Sequence, residues 1–297
     1  MADIKLFKIG NVIDQLASSS VVLERELQVI IEKNMQTFFG VHFLASEYVI
    51  NGGRIDSIGI DENNCPVIFE YKRSLNENVI NQGLFYLNWL LEHKADYKLL
   101  VLEQFGKEIA NKVDWSMPRV ICIAGDFNKY DEEAIKQINR NISLIRYKKF
   151  GAELLLFELL NTNTVKPLQI NEDAPEVKNY NQKTFADQLK QTSESIRQLY
   201  VNIKDYILSL GDDISENELK FYVAFKKIKN IATVQIYAKH IIIYLSLNPE
   251  EVQIEDGFTR NVKEIGHLGT GDLEIRVTNE KDFERAKSLI EKAYKEN

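Results

Sequence analysis

The fold of this chain is decided by residues 54–72, RIDSIGIDENNCPVIFEYK. Two runs rich in β-branched and aromatic residues, 54–60 and 66–72, flank turn-forming residues at 61–64, which is the pattern of a β-hairpin. The second run is apolar over most of its length and is typical of a buried strand. The stretch therefore predicts two paired strands, of which the second lies in the interior.

Three charged side chains, Asp56, Glu70 and Lys72, interrupt these apolar strands. Because side chains alternate along a strand, Glu70 and Lys72 share one face, while Phe69 and Tyr71 occupy the other. Pairing within the hairpin brings Asp56 opposite Glu70. Buried charge is costly unless it is paired or binds a metal. The hairpin thus predicts a cluster of two carboxylates and one lysine at the edge of a sheet.

Such a cluster suits the hydrolysis of a phosphodiester. Hard oxygen ligands such as Asp56 and Glu70 bind Mg²⁺ or Mn²⁺, and such an ion polarises a phosphate and activates a water. A neighbouring lysine, here Lys72, orients that water or helps to deprotonate it. A salt-bridge network that serves stability alone is the alternative that these residues leave open.

The triplet Glu-x-Lys is not specific by itself, because three further copies begin at Glu92, Glu176 and Glu218. The copy at Glu70 differs from these because it lies in an apolar strand that directly follows a strand with an aspartate. That context, rather than the triplet, carries the prediction of a site.

The hairpin is followed by a predicted helix over residues 78–93, which has an apolar stripe. Gln82 and Tyr86 are four residues apart and share one face of it. If this helix packs over the hairpin, both side chains reach a phosphate or the lysine. The alternative is an ordinary helix surface with a half-buried tyrosine.

The rest of the first 165 residues alternates between predicted helices and strands, which indicates an α/β sheet covered by helices. These elements are a helix over 23–39, strands over 97–103 and 119–124, short helices over 107–113 and 131–141, and a hairpin of strands over 142–147 and 153–159.

A lapse in the hydrophobic pattern separates two predicted domains. Residues 161–183 concentrate Asn, Thr, Glu, Asp and two of the five prolines, as a linker does. We therefore predict a first domain over 1–165, a linker over 166–183 and a small α+β domain over 184–297. The small domain is predicted to contain a long polar helix over 184–210, strands near 220–227, 232–238, 240–247 and 272–277, and a closing helix over 280–294.

Composition limits the classes of function. A net charge of −7 and a pI of about 5.4 argue against a general non-specific DNA-binding protein, which is usually basic. Arg140, Arg146, Lys148 and Lys149 form a candidate basic strip, although a solvated helix end and strand is the preferred interpretation. The sequence has no membrane segment or signal peptide, and its two cysteines make no disulfide framework, so we expect a cytoplasmic protein.

Three segments together carry a family resemblance: 53–56 (GRID), 68–72 (IFEYK) and 82–86 (QGLFY). They resemble the PD-(D/E)XK (restriction-endonuclease-like) nuclease superfamily, and within it the NucS-like and RecB-like branches, where a Q-x-x-x-Y helix follows the E-x-K strand. The resemblance spans roughly residues 20–160. It implies a mixed sheet flanked by helices. Ile55 stands where the superfamily name has proline.

The resemblance also implies roles for individual residues. Asp56 and Glu70 would bind Mg²⁺ or Mn²⁺, and Lys72 would serve catalysis. Gln82 and Tyr86 would support the site or contact DNA. Two further candidates follow from the same resemblance: Arg54, as a basic residue near the phosphate, and Glu26, as the helix acid that completes the metal site, with Glu32 as second choice.

The leading hypothesis from the sequence is a metal-dependent endonuclease that hydrolyses phosphodiester bonds in DNA. A nuclease-fold module that binds nucleic acid without cutting it is the first alternative, and a protein-interaction or regulatory domain is the second. Many nucleases of this class act as homodimers, although the sequence identifies no dimer face. Residues from about 183 onward resemble a C-terminal domain of unknown function.

Overall fold

The computed structural model describes residues 4–19, 24–72, 79–163 and 183–297. Its helices are α1 (Glu24–Lys33), α2 (Met35–Phe39), α3 (Val79–Glu92), α4 (Lys94–Ala110), α5 (Lys129–Lys136), α6 (Phe185–Gln191), α7 (Glu194–Ser209) and α8 (Glu280–Glu296). Its strands are β1 (Leu6–Lys8), β2 (Asp14–Leu16), β3 (Ser18–Ser19), β4 (Val41–Ile50), β5 (Gly53–Asp61), β6 (Pro66–Lys72), β7 (Arg119–Ala124), β8 (Asn141–Phe150), β9 (Leu154–Asn163), β10 (Ser215–Glu218), β11 (Val223–Lys226), β12 (Asn230–Ile236), β13 (Ile241–Leu245), β14 (Thr259–Asn261) and β15 (Leu273–Val277).

The larger sheet has the strand order β3-β8-β7-β6-β5-β4, with β9 paired to β8. Strands β4, β5 and β6 are antiparallel, whereas β6, β7 and β8 are parallel. Helices α1 and α2 pack on one face and α3 and α4 on the other, each over its own apolar core. Because both faces are covered, β6 and β7 are apolar almost throughout. The predicted class, a mixed sheet flanked by helices with a smaller C-terminal α+β domain, is confirmed.

One predicted strand is wrong, because residues 97–103 lie within α4. Tyr97 and Val101, four residues apart, are buried, whereas Leu99 and Leu102 are 52% and 42% exposed. Burial at a spacing of four residues belongs to a helix. Residues 99–102 are apolar on both the buried and the exposed side of the helix. Their hydrophobic pattern therefore does not distinguish a strand from a helix. The separately predicted short helix begins where α4 is interrupted at Gly106, with φ 80°.

The second domain is a six-stranded antiparallel sheet in the order β10-β11-β12-β13-β15-β14. Helices α6, α7 and α8 share one apolar core with it. The predicted single helix over 184–210 is two helices, since Ser193 starts α7 as an N-cap whose side chain accepts a hydrogen bond from the Ile196 amide. The predicted linker over 166–183 lies outside the described residues, apart from Lys183.

The second domain packs against the turn between β5 and β6. Lys226 Nζ lies 3.2 Å from Asp61 Oδ2, and Tyr222 donates a hydrogen bond to Asn63 at 3.0 Å. A small apolar cluster closes the contact; its buried members are Cys65, Met117, Leu219, Tyr222 and Ala224. The hairpin is therefore held at its turn by the second domain.

None of the helices in the described ranges combines the length and the apolar character of a membrane crossing.

Candidate metal centre

The candidate site lies where β5 and β6 part. The regular pairing of the two strands ends at Ser57 opposite Phe69. Beyond it, Asp56 Oδ2 accepts a hydrogen bond from the Tyr71 amide at 3.0 Å, and Glu70 Oε1 accepts one from the Asp56 amide at 3.4 Å. Two side-chain carboxylates thus accept the hydrogen bonds from backbone amides that backbone carbonyls accept in the regular part of the strand pair. The structure brings the two predicted acids together at this point.

Glu70 is fully buried, and its Oε2 accepts no hydrogen bond from the described residues, while its side chain is within hydrogen-bonding reach of that of Asp56. Burial, followed by the neighbouring charge of Asp56, raises the pKa of Glu70 to about 9. The pKa of Asp56 is also raised by burial, although the Tyr71 amide and the charge of Lys72 oppose the shift. Glu70 therefore holds a proton at neutral pH. Such a carboxylate has an oxygen available for a cation that can replace the proton.

The wall around Glu70 is built by α3 and β7. Cys122 on β7 lies opposite Glu70 in the parallel pairing. Gly83 lets α3 approach closely, because a Cβ at this position would lie 2.6 Å from Val120 Cγ1 and 3.8 Å from Glu70 Cγ. The glycine is thus needed for the contact that excludes water from Glu70.

Lys72 lies close to an acid of α1 that was not among the predicted site residues, Glu24. Its Nζ lies 3.8 Å from Glu24 Oε1, and its side chain is only 13% exposed. Glu26, the predicted helix acid, instead lies 3.3 Å from Lys149 Nζ on β8. The second choice, Glu32, accepts a hydrogen bond from Ser57 at 2.7 Å. The structure therefore pairs Glu26 with Lys149 and places Glu24 at Lys72.

The polar face of α1 was missed in the sequence, although its spacing is regular. Glu24, Gln28 and Glu32 recur every fourth residue and so share one face of the helix. Gln28 is buried, and its side-chain amide donates to the Asp56 carbonyl at 2.9 Å. This spacing is the signal by which these residues could have been assigned to the site.

Gln82 and Tyr86 brace the start of β5. Gln82 donates a hydrogen bond to the Tyr86 hydroxyl at 2.9 Å, and that hydroxyl accepts one from the Arg54 amide at 3.3 Å. The Tyr86 ring lies directly over Gly53, where a Cβ would come within 2.7 Å of Cε1. Tyr86 is 4% exposed. Of the two roles implied by the resemblance, this geometry fits support of the site.

Arg54 lies at the edge of the site with a further acid. Its side chain is 61% exposed, and Nε lies 2.6 Å from Glu47 Oε2. Pairing of β4 with β5 joins Ser46 to Ser57 and Tyr48 to Ile55, which puts Glu47 across from Asp56. Glu47 has a left-handed φ of 52°, a conformation that non-glycine residues seldom adopt. Its charge contributes to the raised pKa of Asp56.

The donor set fits a divalent cation with few protein ligands. Mg²⁺ commonly uses one or two carboxylates and keeps several waters. Asp56 and Glu70 provide such a pair, with one buried oxygen unpartnered. Within the described ranges, no group of three or more His, Cys, Asp or Glu side chains is arranged to hold a metal. The remaining ligands of a bound ion would thus be waters and the substrate.

The candidate basic strip is not a continuous cationic surface. The Arg146 side chain is 3% exposed and pairs with Asp126 at 3.1 Å and with Glu158 at 2.5 Å. Lys149 is paired with Glu26. The strip therefore includes an internal ion-pair network at Arg146, which is neither a cationic surface nor the solvated strand of the preferred interpretation.

The fold and the site define a two-domain protein with a buried pair of carboxylates in a mixed sheet. Over almost all of its length, this chain belongs to the family of an uncharacterized protein of Haemophilus influenzae. The two are 33% identical over 295 residues, which cover 96% of this chain and 97% of the relative. Residues 185–297 match the family described as a domain of unknown function (DUF5655).

Two solved structures are similar to part of the chain. One is a repair endonuclease from Pyrococcus abyssi, with 17% identity, a TM-score of 0.29 and coverage of 42% of this chain and 48% of that structure. The other is an EndoMS–dsDNA complex, with 19% identity, a TM-score of 0.26 and coverage of 42% and 46%. This chain matches about half the length of each of the two structures.

Proposed function

We propose that this protein is a metal-dependent nuclease that hydrolyses phosphodiester bonds in DNA, as a cytoplasmic enzyme of the NucS-like or RecB-like kind. The observation that carries the proposal is Glu70, whose buried carboxylate has an oxygen without a hydrogen-bond partner beside Asp56 and near Lys72. A pair serving stability alone would be expected to receive N–H or O–H donors from other groups at that oxygen, because a buried oxygen without a donor is costly. The motif resemblance of residues 53–86 supports the same conclusion.

Each residue of the site has a part in this function. Asp56 and Glu70 would hold Mg²⁺ or Mn²⁺, and the bound ion supplies polarisation of the phosphate and a more acidic water. Lys72 orients the attacking water with its ammonium group and offsets negative charge on the phosphate. Arg54, which is largely exposed, binds a phosphate oxygen of the strand. Tyr86 holds β5 in place.

Cleavage of DNA is expected in the presence of Mn²⁺ or Mg²⁺ and tests the proposal directly. Wild type, Asp56→Asn and Lys72→Met are incubated with duplex, mismatched, branched and single-stranded DNA. The lysine variant should lose at least about 100-fold in rate, because positioned proton-transfer and charge-stabilising groups contribute that much. The matched control is Lys98→Met, since Lys98 is an exposed residue of α4.

Equal cleavage by wild type and Asp56→Asn would reveal a contaminating nuclease. Failure of the wild type to cut any of the four substrates would contradict the enzymatic proposal. A nuclease-fold binding module would then be the better account if DNA still bound with a steep salt dependence.

Metal binding should release close to one proton at neutral pH. Glu70 has a pKa of about 9 and so must lose its proton before its oxygen can bind the ion. The affinity is accordingly expected to rise by about tenfold for each pH unit between pH 6 and 8. Calorimetric titration with MnCl₂ in buffers of different ionisation enthalpy measures both quantities.

The variant Glu70→Gln should bind no metal at this site, whereas Glu153→Gln, at an exposed acid after β8, should behave as wild type. Binding that is unchanged in Glu70→Gln would place the metal elsewhere.

A further inference from the structure

Arg119, the first residue of β7, lies in the interface between the two domains, where two of its side-chain nitrogens lack a hydrogen-bond acceptor among the described residues. Only 8% of the residue is exposed, and its Nε and Nη2 are buried without a hydrogen-bond partner among the described residues. Asp61 Oδ2 is 3.6 Å from Nε, beyond hydrogen-bond distance. A buried guanidinium normally has its donors satisfied, because desolvation without compensation is costly. Arg119 therefore requires an acceptor.

A second buried cation lies beside the same carboxylate oxygen. Lys226, the last residue of β11, is 2% exposed, and its Nζ is 3.2 Å from Asp61 Oδ2. The other oxygen of Asp61 is used by the backbone amides of Asn63 and Cys65, at 2.9 and 3.0 Å. Burial and then the charge of Arg119 lower the pKa of Lys226. One carboxylate thus faces two buried cations.

The next acid along the chain, Glu62, interacts electrostatically with both Lys226 and Arg119 but does not line the cavity. Glu62 directs its Oε2 to the backbone amide of Asn230 at 3.1 Å, away from the lining of the cavity. Lys227 also lines the cavity, and its Nζ forms an ion pair with Asp213 Oδ2 at 3.6 Å.

The cations face a small polar cavity between the domains. Its lining includes Asn141, Ser143 and Asn217. The volume that the centre of a water molecule can occupy in it is about 20 Å³. One water needs roughly 10–15 Å³ of this volume. The cavity therefore has room for one or two waters, or for an ion of similar size, but not for a nucleotide. The Asn217 amide oxygen is also buried without a partner, and a reversed amide would direct its NH₂ group there.

We propose that this cavity is a binding site for a small inorganic anion of halide size, held by Arg119 and Lys226 at the junction of the two domains. An anion accepts hydrogen bonds from the buried guanidinium and is attracted by both cations that line the cavity, whereas a water that accepts the same bonds carries no charge. Asp61 belongs to β5, so the ion would strengthen the attachment of the second domain to the strand that carries Asp56.

Thermal unfolding of the full chain in sodium chloride and in sodium gluconate, at equal ionic strength, tests the proposal. Chloride should raise the Tm saturably by roughly 2–4 °C over gluconate, an ion too large for the cavity. The shift should disappear in Arg119→Met, where Asp61 and Lys226 form a balanced pair. Arg25→Met, at an exposed arginine of α1, should keep it.

Crystals soaked in bromide locate the ion independently, by an anomalous peak between Arg119 and Lys226. Three results would overturn the proposal: equal Tm values in the two salts, a chloride shift that persists in Arg119→Met, or a water in the cavity without anomalous signal at high bromide.

Discussion

Replacing Glu70 with glutamine is expected to make the metal-free protein more stable at pH 8, by up to about 5 kcal/mol, while removing metal binding and cleavage. Glutamine keeps the shape of the side chain and carries no charge. The wild-type carboxylate is fully buried and has a folded-state pKa of about 9 against an ordinary value of 4.5. At pH 8 the folded wild type must therefore retain a proton that the unfolded chain has released.

The sign follows from the protons bound in each state. Between pH 4.5 and about 9, folded Glu70 binds more protons than unfolded Glu70, so stability falls as the pH rises through this window. Below pH 4.5 both states are protonated, and Glu70 contributes no penalty. Above pH 9 both are ionised, and the penalty stays constant. Glu70→Gln removes this slope.

Urea unfolding of metal-free protein between pH 5 and 9 measures the effect, with Glu153→Gln as the matched control. Adding Mn²⁺ should reverse the order of stability, because the ion stabilises the folded wild type and not the variant. A wild type and a Glu70→Gln variant with the same pH dependence would show that Glu70 is ionised in the folded state.

Removal of the Asp61 carboxylate is expected to cost about 3–5 kcal/mol, since Asp61→Ala leaves Lys226 and Arg119 buried near each other without their shared partner. The two contacts are 3.2 and 3.6 Å. The same carboxylate also accepts hydrogen bonds from the amides of Asn63 and Cys65, so the turn between β5 and β6 loses these two bonds and keeps only its backbone–backbone ones. The loss should be largest for attachment of the second domain.

Lys226→Met is the informative partner variant, because it removes one cation and leaves Asp61 with Arg119. It should cost clearly less than Asp61→Ala, because Asp61 keeps Arg119 as a partner at 3.6 Å and no buried charge is left alone. Urea unfolding gives both free energies, and amide hydrogen exchange over residues 61–65 reports opening of the turn. An Asp61→Ala variant within about 1 kcal/mol of wild type would show that the interface carries no uncompensated charge.

The hairpin of β5 and β6 was predictable because its causes are local. Alternation, β-branched residues and the turn at 61–64 specify two antiparallel strands, and the pairing itself brings Asp56 next to Glu70. The closing helix α8 was predictable for the same reason, because its apolar positions repeat at helical spacing over a long stretch. Residue type and register alone suffice for such features.

The choice between helix and strand at residues 97–103 depended on tertiary structure. An apolar run has no distinct period, and only the position of Tyr97 and Val101 against the sheet shows which face is buried. Glu24 and Glu26 are likewise both acids in the first turn of α1. Which of them meets Lys72 depends on the rotation of that helix over β6.

The sequence by itself determined the hairpin, the closing helix and the identity of the two carboxylates that come together. Tertiary structure alone decided that Glu70 is sealed by Gly83 and Val120 from other elements, with one oxygen unpartnered. It also decided that Asp61 forms an ion pair with Lys226, which is 165 residues away along the chain. Periodicity is a property of neighbouring residues, whereas burial and charge compensation depend on partners that only folding brings into contact.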